Sequence, residues 1–445
     1  MTQYEKMTQT PVQKLIATLA LPTIVSMLVT NFYNMVDNAF IGTLGTSQSG
    51  AVGVVFGYMA LLQAIGFMFG QGSGSIISRA MGEQDEERAS ETASTGFFMS
   101  LSFAVVAAVL SAFFLDPIIS VLGSTDTIAP YAKTYIVFIL ATAPFMVTSF
   151  TLNNILRYEG KAYLGMIGLL TGAVLNIGGD ALFMFGLHMG IAGAGLSTAL
   201  SQTVSFGILL SMFVAGRTRC VISIKRVRVR RYLGNIALTG LPSLLRQGLN
   251  STATIILNNV VNVYGDAAVA GMSIASRLFF FVFSIAVGVG QGFQPVSGFN
   301  YGAKKYGRLR KGYFFTMAMA EALMLALMVV LMCNTVPIVT LFRDDPDVIT
   351  VATRAIRLQC ISAVFMPVTM VTEMLMQSTG HKVGASILSA VRSGLFFIPL
   401  LIVMSRWRGL YGIEEAQPIS NIISLIPGLI CAVLFWHKVP KTDQE

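Results

Sequence analysis

Charged residues are scarce in this sequence. They make up 11% of its 445 residues, whereas soluble globular domains carry about a quarter. Hydrophobic residues reach 54%, and the mean hydropathy is +0.71. So little charge cannot cover the surface of a soluble protein of this length. The composition therefore excludes a soluble globular fold and predicts a polytopic membrane protein.

The residues of metal, thiol and nucleophilic chemistry are also few. The sequence has four cysteines and three histidines. The cysteines show no paired spacing, so we predict neither a disulfide framework nor a thiol metal site. The histidines form no HExxH motif and no Ser-His constellation. We therefore expect a protein that is not an enzyme and that needs no cofactor.

What the sequence has in abundance is long apolar runs. A membrane-spanning helix needs about 20 mostly apolar residues, and twelve such runs can be placed. They lie near 14–41, 50–78, 92–115, 128–155, 163–186, 191–214, 233–262, 267–299, 313–336, 349–375, 384–404 and 412–436. We therefore predict an all-α polytopic membrane protein with twelve transmembrane helices.

The second half of the chain repeats the first half at a constant offset. Leu21-Pro22 recurs as Leu241-Pro242, and the same offset carries Gly160 onto Gly380. An even number of spans in each copy makes the repeats parallel rather than inverted. We expect two six-helix lobes around a central cleft. The predicted parts are an N-terminal lobe at 1–215, a basic cytoplasmic linker at 216–232, a C-terminal lobe at 233–436 and a cytoplasmic tail at 437–445.

The net charge of +9 is concentrated in a few loops. Basic residues cluster at 217–231 and 304–311, whereas the loops 42–49 and 187–190 contain no Lys or Arg. By the positive-inside rule, the basic loops and both termini are predicted to be cytoplasmic. We interpret the positive charge as a topology signal and not as a nucleic-acid binding surface.

An aspartate, Asp37, interrupts the first apolar run. A charge at bilayer depth costs at least a few kcal/mol, so an intramembrane carboxylate is by default a functional residue that faces protein or water. Asn34 precedes it by three residues and shares its helix face. The counterpart of Asp37 in the second copy is Leu257, so this acid belongs to the first repeat only.

A second carboxylate, Asp180, lies in the fifth predicted span, one helical turn after Asn176. Two acids in a dry setting can share a proton, because two like charges at close range disfavour ionisation of both. They can equally hold a cation through oxygen ligands, to which Thr198 of the sixth span could add a hydroxyl. The alternative is that a neighbouring Asn or Thr satisfies each acid and that neither takes part in transport.

Other polar positions are secondary candidates. Glu159, between Arg157 and Lys161 at the end of the fourth span, is either a gate or proton site or a solvated interfacial ion pair. In the second copy, Arg246 follows Pro242 by four residues. Because proline often bends or opens a helix, this arginine could line the cleft or meet an anionic substrate.

Two further predictions concern structure. Glu373, in the tenth predicted span, is expected to pair with an arginine of its lobe as a structural bridge. Pro22, at the opening of the first repeat, is the predicted hinge, because proline removes a backbone hydrogen bond from the helix.

These features together resemble the multidrug and toxic compound extrusion (MATE) family. The resemblance rests on the duplicated halves with their Leu-Pro openings, on Asp37 followed by Ile41-Gly42, and on Asn176 with Asp180. It covers nearly the whole chain. It is closest to the prokaryotic branch named after DinF, which includes MepA-type drug pumps.

The resemblance implies a secondary active transporter that exports organic, mostly cationic drugs in exchange for H+ or Na+ by alternating access. The family's cation site maps onto Asp37, Asn176, Asp180 and Thr198, and Na+ is one ion that it could hold. The resemblance also implies a monomer in the prokaryotic plasma (inner) membrane, with amphipathic small molecules as substrates.

The second lobe departs from part of the family. Relatives of the NorM type carry an acid in the seventh span, where this chain has Arg246. A cation site in the second lobe would therefore depend on Glu373. The alternative function is a flippase for a lipid-linked saccharide or another anionic lipid. Arg246, Arg277 and Arg392 favour it, whereas the paired acids of the first lobe would repel a pyrophosphate.

Overall fold

The computed structural model describes residues 2–440 and Asp443. This part of the chain is helical and contains no strand, which confirms the predicted all-α fold. The helices of the first repeat are α1 (Gln3–Gln9), α2 (Val12–Gly42), α3 (Thr46–Gly82), α4 (Glu86–Phe113), α5 (Leu115–Val121), α6 (Ala129–Tyr158), α7 (Ala162–Asp180) and α8 (Gly190–Val214). A π-helical stretch, Ala181–Gly186, continues α7.

The second repeat follows after a short 3-10 turn at Ile224–Arg226. Its helices are α9 (Val229–Asn262), α10 (Asp266–Gly302), α11 (Tyr306–Cys333), α12 (Thr335–Phe342), α13 (Pro346–Ala363), α14 (Met366–Thr379), α15 (Lys382–Ala390), α16 (Phe397–Arg408) and α17 (Leu410–Lys438). A π-helical stretch, Val391–Leu395, joins α15 to α16.

The helix boundaries reproduce the offset that carries Leu21 onto Leu241. Shifted by this offset, the first and last residues of α3 and α4 become those of α10 and α11, respectively. Gly160 and Gly380 end the equivalent helices α6 and α14 with φ angles of +83° and +86°. This left-handed conformation is open to glycine at little cost. The two halves therefore share their backbone build.

Ten helical stretches in the described part of the chain are long and apolar enough to cross a membrane. The pair α13 and α14, bent by 55°, makes an eleventh when it is taken as one span. The helix α9 has 34 residues and corresponds to the remaining predicted span. It is less apolar because it contains Arg230, Arg231 and Arg246. The chain has the predicted twelve-span fold.

Two compact units divide the described chain at points inside helices. One unit contains the chain up to Ile24 together with the chain from Leu245 onwards, and the other is Val25–Leu244. The two boundaries occupy equivalent positions in the two repeats, and each lies two residues after a proline within a helix, Pro22 in α2 or Pro242 in α9. The N-terminal segment of α2 therefore belongs with second-repeat helices, and that of α9 with first-repeat helices.

A glycine contact holds each exchanged segment in its unit. A Cβ atom on Gly72 of α3 would lie 2.1 Å from the carbonyl oxygen of Ile236 in α9. A Cβ atom on Gly292 of α10, the counterpart of Gly72, would lie 2.5 Å from the Cα atom of Ala20 in α2. Only glycine permits such a close approach of two helix backbones.

Hydroxyl groups of the exchanged segments add a hydrogen bond in each unit. Ser243 Oγ donates to Gln71 Oε1 at 2.8 Å, and Thr23 Oγ1 donates to the carbonyl oxygen of Gly288 at 2.6 Å. The predicted lobes, 1–215 and 233–436, follow the repeat, whereas the compact units also contain one helix segment of the other repeat.

The segment between α8 and α9 is packed along α4. The hydroxyl of Ser90 accepts from the Val221 N–H at 3.1 Å. The hydroxyl of Ser94 donates to the Val221 carbonyl oxygen and accepts from the Ser223 N–H, both at 3.0 Å. Helix α9 begins at Val229, ahead of the predicted start of the seventh span at 233. The predicted linker at 216–232 is therefore a docked segment that merges into a helix.

Candidate functional site

A small cavity within Val25–Leu244 brings the first-repeat candidates together. Its volume is about 50 Å³. One water molecule needs roughly 10–15 Å³ of such space, and drug-sized sites run from about 300 to 1,000 Å³. The cavity therefore suits an ion with a few water molecules. The predicted site residues in its wall are Asn34, Asp37, Asn176 and Thr198.

No described residue in the cavity wall is Lys, Arg or His. The polar groups beside Asp37 are hydroxyls and amides. They come from Thr30, Tyr33, Asn38, Gln63, Tyr135, Ser149, Ser201, Gln202 and Ser205. A carboxylate in this wall has dipoles around it and no protein cation.

The second acid, Asp180, is fully buried at the end of α7. Its carboxyl group is an electrostatic neighbour of the Asp37 carboxyl group. The neighbouring Ser197 hydroxyl donates at 2.8 Å to the backbone carbonyl of Asn176. Among the described residues, neither carboxyl oxygen of Asp180 receives a hydrogen bond from a protein donor.

Hydroxyl groups of α8 orient the amide on α7. The Asn176 Nδ2 group lies 3.4 Å from both Ser197 Oγ and Thr198 Oγ1. Tyr135, from α6, lies in the same cavity wall as Thr198. Asn176 and Thr198 are buried. The site thus contains amide, hydroxyl and carboxyl oxygens from several helices, which is the donor set of a hard cation.

A metal site built from acids and imidazoles is not found in the described residues. No group of three or more His, Cys, Asp or Glu side chains there is placed to hold a metal ion. A sodium ion at Asp37 and Asp180 would therefore need the amide and hydroxyl oxygens as well.

Tyr135 and Ser197 were missed by the sequence analysis. Both are buried. Each lies in a different helix from the two acids. Their distance along the sequence from a carboxylate therefore gave no indication that they lie close to one. The sequence shows only that both residues carry a hydroxyl group within a predicted span. Many residues of this chain do so, and this feature therefore does not single out these two.

The second-repeat candidates form a separate buried cluster. Arg246 Nη1 donates to Glu373 Oε1 at 2.9 Å. Arg392 Nε and Nη2 donate to Glu373 Oε2 at 3.2 and 2.9 Å. The side chain of Glu373 is 0% exposed. Both of its oxygens are bound by guanidinium groups, which is the geometry of a structural bridge and leaves no free carboxylate for a coupling cation.

Glu159 is buried, not solvated. Its side chain is 0% exposed and pairs with Lys161 Nζ at 2.9 Å, and it also accepts a hydrogen bond from the Arg219 backbone N–H. Burial raises the pKa of Glu159, whereas Lys161 acts to lower it. The expected solvated ion pair is thus wrong in one respect, because the segment after α8 covers the carboxylate. Glu159 does not line the Asp37 cavity.

Long apolar helices in two similar repeats define an integral membrane protein. The family model described as MatE matches residues 22–182 and 242–403. The chain belongs to the MatE family, which confirms the resemblance found in the sequence.

Relatives in this family are similar over almost their full length. A protein named multidrug export protein MepA, from Staphylococcus haemolyticus (strain JCSC1435), is 27% identical over 406 residues, which cover 91% of this chain and 89% of the relative. A protein of the same name from Staphylococcus aureus (strain MSSA476) is 26% identical over 439 residues, covering 98% and 97%. An outward-facing structure of a multidrug resistance MATE family transporter of the MOP superfamily has a TM-score of 0.93 at 26% identity, covering 99% and 100%.

Proposed function

We propose that this chain is a secondary active multidrug efflux transporter that exchanges organic, mostly cationic drugs for H+ or Na+. Relatives of nearly the same length are named as multidrug exporters. The observation that carries the coupling is the position of Asp37 in a buried cavity whose described wall has no basic residue, with the second acid, Asp180, as its electrostatic neighbour.

The coupling ion is proposed to bind at Asp37, Asp180, Asn176 and Thr198. A proton would bridge the two carboxyl groups, and a sodium ion would also use the amide and hydroxyl oxygens. Either ion removes one unit of negative charge from the interior of the repeat. The cavity of about 50 Å³ has no room for a drug, so drug and ion are coupled at a distance rather than by direct competition for one pocket.

The membrane potential supplies useful energy for such an exchange. One charge that moves inward down the potential releases about 2.3 kcal/mol per 100 mV. At about 1.4 kcal/mol per factor of ten, one ion can sustain a roughly forty-fold drug gradient. Exchange of a single ion per drug molecule therefore supplies enough free energy to export the drug against a concentration gradient.

Pro22 is the proposed bending point for alternating access. Proline removes one backbone hydrogen bond from a helix, and the boundary between the compact units lies two residues further on in α2. Asp37 lies on the same helix. Its neutralisation would change the electrostatic free energy of the bent form of α2 relative to the straight form. The helix α2 would then couple ion binding to a change in access.

The transporter is proposed to act as a monomer in the prokaryotic plasma membrane, with both termini cytoplasmic and without a cofactor. Its substrates are amphipathic small molecules and not nucleic acid. The flippase alternative is not favoured, because Arg246 and Arg392 both pair with Glu373 and are not left to meet a diphosphate.

Ethidium efflux from vesicles under an imposed pH or Na+ gradient tests this function. The native chain should export dye under one of the two gradients, and Asp37→Asn should abolish the gradient-driven part. Asp126→Asn, at an exposed loop position, is the control and should transport as the native chain does. Absence of efflux of any cationic dye under either gradient would contradict the proposal and favour the flippase.

A further inference from the structure

A groove of about 850 Å³ lies between α11 and α17 of the second repeat. Three basic residues mark the end of the groove near the start of α11 and the end of α17, namely Arg310, His437 and Lys438. Apolar side chains form its wall, among them Phe314, Leu429 and Val433, which are 56%, 48% and 64% exposed. In a membrane protein, such exposed apolar residues face lipid.

Trp436 lies in this groove with its ring between basic and aromatic neighbours. The Arg310 guanidinium carbon is 5.0 Å from the centre of the indole ring, and the Phe314 ring is stacked at 6.4 Å. The indole N–H has no acceptor among the described residues. Tryptophan is enriched at the level of lipid headgroups because it combines an apolar body with a polar N–H.

The equivalent face of the first repeat is closed by the chain itself. By the offset between the repeats, Arg310 and Phe314 correspond to Ser90 and Ser94. Ser90 and Ser94 hydrogen-bond to the docked segment at Val221. One repeat thus has a small, polar face that its own chain covers. The other has a basic and aromatic face that the described residues leave open.

We propose that this groove binds one anionic phospholipid, with its phosphate at Arg310 and Lys438 and an acyl chain along Phe314 and Val433. Basic pockets between transmembrane helices at the cytoplasmic side attract anionic headgroups. The apolar wall continues away from the basic end, as a lipid with one charged end requires.

Asp443, a described residue after α17, lies near the mouth of the groove. The Asp443 carboxylate accepts a hydrogen bond from the Gly307 N–H at 2.7 Å, one helical turn before Arg310. A tail that filled the groove would shield Trp436 from every lipid. The experiment must therefore distinguish a groove filled by the chain's own tail from a groove that binds lipid and prefers an anionic headgroup.

Fluorescence quenching by brominated lipids tests the proposal in the full chain. The sequence has two tryptophans, so Trp407→Phe leaves Trp436 as the only reporter. The protein is reconstituted in bilayers that contain increasing fractions of brominated phosphatidylglycerol or brominated phosphatidylcholine with identical acyl chains. We expect half-maximal quenching at a lower fraction of the anionic lipid, by about five-fold for each basic residue that contributes.

Charge-removing variants identify the residues responsible. Lys438→Gln should lose about five-fold of the preference, and the double variant Arg310→Gln, Lys438→Gln should have none. Arg406→Gln, at the far end of α16, is the matched control and should keep the full preference. Equal quenching by both lipids in the Trp407→Phe protein, quenching by neither, or a preference that survives in the double variant would each overturn the proposal.

Discussion

The two repeats share a backbone but have opposite buried chemistry. The first-repeat residues Asp37, Asn176, Asp180 and Thr198 correspond in the second repeat to Leu257, Phe396, Leu400 and Pro418. The second-repeat residues Arg246, Glu373 and Arg392 correspond in the first repeat to Ser26, Asn153 and Gly172. Each site is therefore absent from the other repeat, although the helices that carry them are equivalent.

The difference shows which buried charge can serve as an ion site. Glu373 is saturated by two internal guanidinium groups, so an external cation would have to displace an arginine. Asp37 has no basic neighbour in the described cavity wall, and we propose that an ion from solution balances its charge. On this proposal the first repeat has a charge that an external ion can balance, and the second repeat does not.

The largest expected effect comes from moving the acid between the repeats. The double variant Asp37→Asn, Leu257→Asp has the same net charge as the native chain, but its acid lies in a repeat without the partners of the first site. We expect gradient-driven dye efflux to fall by more than about ten-fold, because mutation of residues that only orient a metal ligand already costs about 10–100-fold in affinity or activity. Restored efflux would show that either repeat can host coupling.

Removal of an acid should destabilise the protein strongly in the second repeat and little in the first. Glu373→Leu leaves two buried arginines unpaired, and breaking a buried ion pair in this way costs about 3–5 kcal/mol. Asp180→Asn removes an acid that has no basic partner, so relieved charge burial offsets lost contacts and we expect a change within about 1 kcal/mol. Thermal unfolding of the purified variants in detergent measures both. Similar losses for the two variants would contradict the distinction between paired and exchangeable acids.

A smaller effect is expected at the close helix contacts of Gly72 and Gly292, where the two repeats are alike. Gly72→Ala and Gly292→Ala each place a Cβ atom less than 3 Å from a neighbouring helix backbone, and overpacking of this kind costs about 1–3 kcal/mol. We expect similar falls in thermal stability for both. Gly53→Ala, in α3, has nothing within 4 Å of its added Cβ and is the control that should not fall.

The smallest effect concerns Glu159, which has no acidic counterpart in the second repeat. Burial raises its pKa, so the folded protein binds more protons than the unfolded chain between the usual carboxyl pKa and the raised one. This contribution makes stability fall as pH rises through that window. Glu159→Gln should flatten the fall and change stability by about 1 kcal/mol or less, because lost pairing and relieved desolvation oppose each other. An unchanged pH profile would show that this carboxyl does not titrate there.

Much of the fold could be predicted because the signals repeat along the chain. Apolar runs of membrane length, the constant offset between the repeats and paired glycines such as Gly160 and Gly380 are all visible in the sequence. The exchange of helix segments at Ile24 and Leu244 could not be predicted. It depends on which helix backbones approach at Gly72 and Gly292, and the spacing of glycines does not say which partner they meet.

The candidate site also contains residues that could be predicted from the sequence and residues that could not. Asp37 and Asp180 could be found because a carboxylate in an apolar run is rare and costly. The contribution of Tyr135 and Ser197 depends on the packing of α6 and α8 against α7. The burial of Glu159 was missed because the residues that cover it come much later in the chain, around Arg219, in a segment that reads as a solvated basic loop.

Ion release on drug binding tests the central claim most directly. The purified protein is mixed with ethidium in weakly buffered detergent solution, and the release of protons or of bound radioactive sodium is measured. The account predicts release of one of the two ions by the native chain and by Glu373→Gln, and none by the double variant Asp37→Asn, Asp180→Asn. Undiminished release by that double variant, or its loss only in Glu373→Gln, would contradict a coupling site in the first repeat.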